Sequence, residues 1–252
     1  MLVRTLKFAF GVVCLCWMAA CGQANQPKPS ALPPITAIPG WTLLSNAGVE
    51  ISVPNTFVGG SNLDVDALAK QLTDLGPEFA QAAQALQQNQ AAFLLFAVDT
   101  AKGGSGATTN LVVVKEVVRS GMELGSYLDS LASRLPAQTH VLLKEVVALG
   151  RYPTARLTAE LSTPSGGSVK QVVYVVKNGS AVWQFVFSTP ADEFDDRAPV
   201  FEAMARTISV PYSTEEVSPS NGGPQAIVFV IGLAVAIGAV VLLAWRRRQR
   251  QG

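Results

Sequence analysis

Cysteine, histidine and charge are all scarce in this chain, and each scarcity removes a class of chemistry. The three cysteines, Cys14, Cys16 and Cys21, precede residue 22, so no disulfide framework or thiolate metal site can form later. A core of roughly 170 residues must hold by burial alone, and it is large enough to do so. His140 is the single histidine, which excludes multi-histidine metal sites. A Ser-His-Asp relay would need it against a serine on a rigid turn, and the chain has no Gly-x-Ser-x-Gly elbow. In Ala137-Gln138-Thr139-His140 it reads as a solvated loop residue entering a strand. Charged residues make up only 15%, and they are unevenly spread. All 18 acidic residues lie between Glu50 and Glu216. Six of the 19 basic ones lie at the two ends, leaving thirteen against eighteen and a middle with five excess negative charges. An acidic middle offers no basic face for nucleic acid.

Long apolar runs are few, and the longest decides where the protein sits. Residues 226–245 carry no charge, and Arg246, Arg247, Arg248 and Arg250 follow at once. About 20 apolar residues cover the ~30 Å hydrocarbon core of a bilayer, and a lipid-buried segment must be helical to satisfy its own backbone. The arginines place the tail 246–252 in the cytoplasm and everything before residue 226 on the far side. Trp245 suits the headgroup region as an interfacial anchor. Gly232 and Gly238 are six apart and make no Gly-x-x-x-Gly packing face. Gly222-Gly223, an apolar helix and a basic tail also resemble sorting signals whose tail is removed after export.

At the other end, Arg4 and Lys7 precede an apolar run too short to span, which closes in Met18-Ala19-Ala20-Cys21. Residues 1–20 therefore read as a secretory signal. Small residues directly before a cysteine resemble the bacterial lipobox, which implies cleavage before Cys21 and diacylation of its thiol. The alternative is an ordinary signal peptide cut nearby, with Cys21 incidental. Residues 21–40 contain Pro27, Pro29, Pro33, Pro34 and Pro39 and read as an extended stalk. A second tether, 211–225, holds Ser220-Asn221-Gly222-Gly223-Pro224.

Between the tethers, 41–210 reads as one α+β domain. Trp41-Thr42-Leu43-Leu44-Ser45 and Val49-Glu50-Ile51-Ser52-Val53 alternate around Asn46-Ala47-Gly48, a hairpin signal closed by Pro54. Asp64 can cap a helix with Val65, Leu68, Leu72 and Leu75 on one face, broken by Gly76-Pro77. Phe79, Ala82, Ala83 and Leu86 continue a helical stripe. Strands are expected at 92–98, 110–118, 141–149, 154–161, 169–177 and 181–189, and helices at 122–135 and 192–208. Asn178-Gly179 is the strongest short hairpin signal. In 169–177 and 181–189 the apolar residues occupy both faces, so the sheet needs cover on both sides. These features predict a mainly antiparallel sheet between helical layers, an α/β/α sandwich, with one C-terminal transmembrane helix.

An opening tryptophan, a hairpin ending in Pro54 and Ser126-Tyr127-Leu128 on the helix after a long strand resemble the PsbP-like superfamily. So do Gly150-Arg151-Tyr152-Pro153-Thr154-Ala155-Arg156 before the final strands and the closing Phe201-Glu202-Ala203-Met204-Ala205-Arg206-Thr207-Ile208. That group includes a photosystem extrinsic protein, a Ran-binding nuclear import factor and bacterial lipoproteins of the LpqN type. The resemblance covers residues 41–210 and implies a fold and a habit of binding partners. No catalytic motif transfers with it.

Other candidate chemistry has simpler readings. Lys102-Gly103-Gly104-Ser105-Gly106 leads into a strand, whereas a phosphate loop needs its lysine and hydroxyl after the last glycine, opening a helix. Asp192, Glu193, Asp195 and Asp196 could hold calcium but suit the positive end of a helix dipole. Trp183, Phe185 and Phe187 could line a pocket, but such a stripe is more often core. Asn178-Gly179-Ser180 matches a glycosylation sequon and reads as the hairpin turn. The sequence thus points to a non-enzymatic extracytoplasmic module without a cofactor, held by an acyl group on Cys21 and by one spanning helix. It would serve as an interaction or assembly factor for a membrane complex, with a membrane-associated protein as partner. The alternative is a carrier or sensor of a lipid or small apolar ligand, lodged beside Ala80, Ala82, Ala83 and Ala85. A hydrolase lacks its nucleophile and base.

Overall fold

In the computed structural model, the described residues are 38–76, 79–101, 109–119, 121–162 and 167–215. The predicted signal peptide 1–20, nearly all of the stalk, the 102–108 loop, the span 226–245 and the tail 246–252 lie outside them. No helix among the described residues is long and apolar enough to cross a membrane.

The chain opens with the expected hairpin, β1 (Trp41–Asn46) and β2 (Val49–Pro54), paired antiparallel as a separate two-stranded sheet. Its turn residues, Ala47 and Gly48, have φ of 50° and 78°. Positive φ at both central positions matches the right-handed twist of the flanking strands. A third strand, β3 (Phe57–Ser61), follows without having been expected. Its Gly59-Gly60 pair hides the alternation that marks a strand. The glycine is sterically required, because a Cβ at Gly59 would lie 2.3 Å from the Phe96 carbonyl oxygen.

Helices α1 (Val65–Leu75) and α2 (Ala80–Gln88) come next. Val65, Leu68 and Leu72 are buried as the periodicity requires, whereas Leu75 is exposed in the last turn. Asp64 makes no side-chain cap; Ser61 instead caps the preceding 3-10 turn, its Oγ accepting from the Leu63 amide. The strand expected at 92–98 begins later, as β4 (Leu95–Asp99), because a 3-10 turn occupies Gln90–Ala92. Strand β5 (Asn110–Val117), helix α3 (Leu124–Ser133) and strands β6 (Thr139–Leu149), β7 (Tyr152–Ser162), β8 (Ser168–Asn178) and β9 (Ala181–Pro190) follow, then α4 (Phe194–Ala205).

Strands β3 to β9 form one seven-stranded sheet in the order β3-β4-β5-β9-β8-β7-β6, antiparallel throughout. Every residue of β9 is buried, as a central strand covered on both faces demands. Beneath one face lie α1, α2 and α3, with Leu72, Leu86, Tyr127 and Leu131 packed on Phe96, Val112, Val175 and Val186. The other face carries Trp183, Phe185, Phe187 and Tyr174. The expected sandwich is corrected here: this second layer is α4 together with the β1–β2 hairpin, whose Leu44, Val49, Ile51 and Val53 share that core with Phe201 and Met204. A single helix is too narrow to cover so wide a sheet, and the hairpin supplies the missing apolar area.

The strand ends divide the sheet into two poles. At one lie the β6–β7, β8–β9 and β1–β2 turns and the chain's departure through Val210 to Glu215. At the other lie the start of β6, the end of β9 and the first turn of α4.

Candidate functional site

Cys21, Arg246, Arg247, Arg248 and Arg250 lie outside the described residues, as does Lys102. The remaining sequence candidates do not converge. His140 is exposed near the start of β6, opposite Glu160, rather than in a loop. Trp183, Phe185 and Phe187 are fully enclosed core, Phe187 stacking on Phe201 at 5.0 Å and meeting Tyr174 edge-on at 5.8 Å. Asp195 and Asp196 stand in the first turn of α4, where they favour the helix dipole, and Glu193 reaches Arg197 at 3.9 Å. Among the described residues no group of three or more His, Cys, Asp or Glu side chains is placed to hold a metal ion.

Of the α2 alanines, Ala80 and Ala83 border an open groove of mixed lining. Ala82 and Ala83 are buried in the core, while Ala80 faces solvent. This groove, of about 340 Å³ between α1 and α2, is lined by Ala69, Ala80 and Ala83 and also by Asp66, Lys70, Asp74 and Gln87. Lys70 pairs with Asp74 at 2.6 Å and Gln87 donates to Asp66 at 3.0 Å. A lipid chain gains little from such a mixed lining, because transfer from water is favoured only onto apolar surface.

A buried polar network escaped the sequence reading. The Tyr127 hydroxyl, on the sheet-facing side of α3, donates to the Glu116 carboxylate, and Gln184 Nε2 donates to the Tyr127 oxygen at 2.8 Å. Arg134 Nη1 donates to Glu116 Oε1 at 3.3 Å and its guanidinium carbon lies 5.8 Å from the Tyr127 ring centroid. Gln184 Oε1 is buried without a partner among the described residues. The one sequence signal was a glutamine inside the apolar run Val182-Trp183-Gln184-Phe185. The arrangement ties α3 to β5 and β9, since polar groups at this depth are costly unless matched.

Burial, reinforced by the nearby Glu116 carboxylate, pushes the Tyr127 phenol well above its usual range. Above about pH 10 the unfolded chain loses this proton while the folded protein keeps it, so the folded state binds more protons and stability falls. The contribution is complete below pH 10 and declines by up to about 1.4 kcal/mol per pH unit above it. Denaturant titrations between pH 9 and 11 should therefore show a steeper decline for the native chain than for Tyr127→Phe. Equal slopes would contradict the burial assigned to this hydroxyl.

The most unusual surface is the free edge at β6. Val141, Leu142, Leu143 and Val146 are 40%, 52%, 40% and 54% exposed. Strand β6 is eleven residues long and pairs only with β7. The register shifts between Val141 and Leu143, so Leu142 is a bulge residue. Lys144 is drawn onto Asp129 of α3, and Glu145 onto Arg156 of β7. At the opposite edge β3 has only five residues, and the hairpin strand β1 packs against it. Among the described residues one long apolar edge is therefore left open, and the charges of Lys144 and Glu145 are already neutralised internally.

Against known proteins, no family model matches the sequence, and no curated protein matches it. Among solved structures the chain is similar to cyanobacterial PsbP (CyanoP) from Synechocystis sp. PCC 6803, with 13% identity, a TM-score of 0.41, and coverage of 73% of this chain and 100% of that one. It is also similar to LpqN of Mycobacterium tuberculosis, described as involved in cell envelope biogenesis, with 16% identity, a TM-score of 0.41, and coverage of 68% of this chain and 91% of that one.

Proposed function

We propose that this protein is a membrane-anchored, extracytoplasmic, non-enzymatic module that binds a protein partner through the free edge of β6. The exposed apolar edge carries this reading. Unpaired backbone groups on a long edge strand are a template for another strand, and folded proteins ordinarily blunt such edges. Here the blunting devices leave part of the strand usable. The bulge at Leu142 bars pairing across the first residues of β6, and Lys144 is engaged by Asp129. The stretch after the bulge, Leu143 to Leu149, can accept an uncharged extended segment that adds a strand to the sheet, with apolar side chains meeting Leu143 and Val146.

Attachment to the membrane rests on the lipobox-like Cys21 and on the apolar segment 226–245, and these hold the domain on the extracytoplasmic side beside other membrane proteins. The partner is accordingly a subunit of a membrane complex.

The test is purification of the whole chain from its own membranes in mild detergent. Leu143→Lys with Val146→Lys should lower a stoichiometric co-purifying protein at least ten-fold while leaving the unfolding free energy within about 0.5 kcal/mol, as surface changes do. Retention of the partner at full stoichiometry would sink the edge assignment. A single enriched lipid in place of any protein would favour a carrier instead.

A further inference from the structure

We propose that the pole of the domain from which the chain departs is a docking face for an anionic bilayer surface. This rests on the membrane anchoring proposed above and adds an orientation to it. The segment 210–215 is fastened across that pole. Tyr152 Oη donates to the Val210 carbonyl at 3.1 Å, and Asn178 Nδ2 donates to the same oxygen at 3.2 Å. The Ser180 amide donates to the Ser213 carbonyl at 2.9 Å, and Gly179 takes φ 74° with Ser213 so close that a Cβ there would lie 2.0 Å from its oxygen. Side chains larger than hydrogen are excluded at Gly179, so the departing strap lies flat on the turn.

Around this strap stand two of the most exposed apolar side chains, Leu63 at 77% and Tyr212 at 64%. They are linked along one surface: Asn62 Oδ1 accepts from Asn46 Nδ2 at 2.8 Å, and a Cβ at Gly48 on the hairpin tip would lie 3.3 Å from the Pro211 side chain. Arg119 follows Val118, whose amide donates to the Ser180 carbonyl at 2.8 Å, and Arg151 follows Gly150, which packs on the Arg206 backbone. Neither Arg119 nor Arg151 has a side-chain partner among the described residues. Acids at this pole are mostly taken, Glu116 by Arg134, Glu202 by Arg206 and Glu215 by Lys115, while Glu50 is half-buried and Glu123 alone among them is exposed without an ion pair to the described residues. The pole is close to neutral. The far pole is not, because among the described residues Glu160, Asp192, Asp195 and Asp196 stand there with Lys170, Arg197 being taken by Asp99 and Glu193. An anionic surface repels that end and admits this one.

Chain length agrees with the assignment. Ten residues separate Glu215 from Ala226. A flexible linker of that length has an end-to-end distance of roughly 17 Å, which keeps the pole at millimolar effective concentration beside the bilayer. A weak attraction therefore suffices. The N-terminal side fits as well: Ile38 lies beside the end of β2, near the far pole, and sixteen residues separate it from Cys21. That length reaches at most roughly 60 Å, enough to pass the ~36 Å of an eleven-residue strand.

The test uses the whole chain with Cys14→Ser, Cys16→Ser and Cys21→Ser, held through 226–245 in nanodiscs containing nitroxide-bearing lipid. A fluorophore is attached singly at Leu63→Cys, Tyr212→Cys or Asp195→Cys. In phosphatidylglycerol-rich discs, quenching at 63 and 212 should exceed that at 195 several-fold. Replacing Arg119 and Arg151 by serine should weaken docking roughly five-fold per arginine, and high salt should do likewise. Equal quenching at all three positions in incorporated chains overturns the docking face and leaves the anchoring intact. Equally strong quenching in pure phosphatidylcholine overturns the anionic assignment. Failure of the chain to co-elute with the discs removes the anchoring and the docking face together.

Discussion

Truncation of Phe201 to alanine is expected to destabilise the protein by about 3–5 kcal/mol, the range for removing a large aromatic from a close-packed core. Phe201 is fully buried, stacks on Phe187 at 5.0 Å with an interplanar angle of 27°, and belongs to the cluster that includes Trp183 and Met204. Helix α4 is also tied to β4 by Arg197, which donates to the buried Asp99 carboxylate at 2.7 Å. It carries Pro199 internally, Asp195 and Asp196 face solvent and Glu202 pairs with Arg206, so its apolar attachment depends chiefly on Phe201, Met204 and Ala205. Denaturant unfolding measures this directly. The midpoint should fall with the m-value unchanged, while Glu202→Ala, a surface change, should stay within about 0.5 kcal/mol. A loss below 1 kcal/mol at Phe201 would mean that the hairpin alone closes this face.

The second large effect is release from the membrane. Either anchor alone should retain the protein, since a diacylated cysteine and a spanning helix each hold it. Removal of residues 226–252 or the change Cys21→Ser should therefore leave the protein in the membrane pellet at high salt. The two together should move nearly all of it to the soluble fraction. If Cys21→Ser alone releases it, the C-terminal segment is removed after export. If the double change leaves it in the pellet, neither segment is the anchor and the extracytoplasmic reading falls with them.

Much of the fold was legible because its signals are local. The two-faced apolar pattern of Val172 to Val176 and of Val182 to Phe187 required a sheet covered on both sides, and the structure covers both. The helical stripe Val65, Leu68 and Leu72 and the turns at Ala47-Gly48 and Gly179 were equally local. Strand β3 was not, since Gly59 is there to admit the Phe96 carbonyl, a demand made by another strand. The Tyr127–Glu116–Gln184 network joins residues distant in the chain, and no spacing rule marks it.

The surfaces on which function is proposed were out of reach for the same reason. Val141, Leu142, Leu143 and Val146 read as an ordinary strand, and only strand order makes them an edge. Leu63, Arg119, Arg151 and Tyr212 are remote in sequence and meet at one pole because alternate turns of an antiparallel sheet fall at the same end. The sequence by itself determined most of the secondary elements, a core without disulfides and the expectation of two membrane attachments, because periodicity, composition and long apolar runs are properties of neighbouring residues. Which strand stays open, what completes the second layer and which pole the chain leaves from were decided only in three dimensions, where pairing across the sheet sets what each side chain can touch.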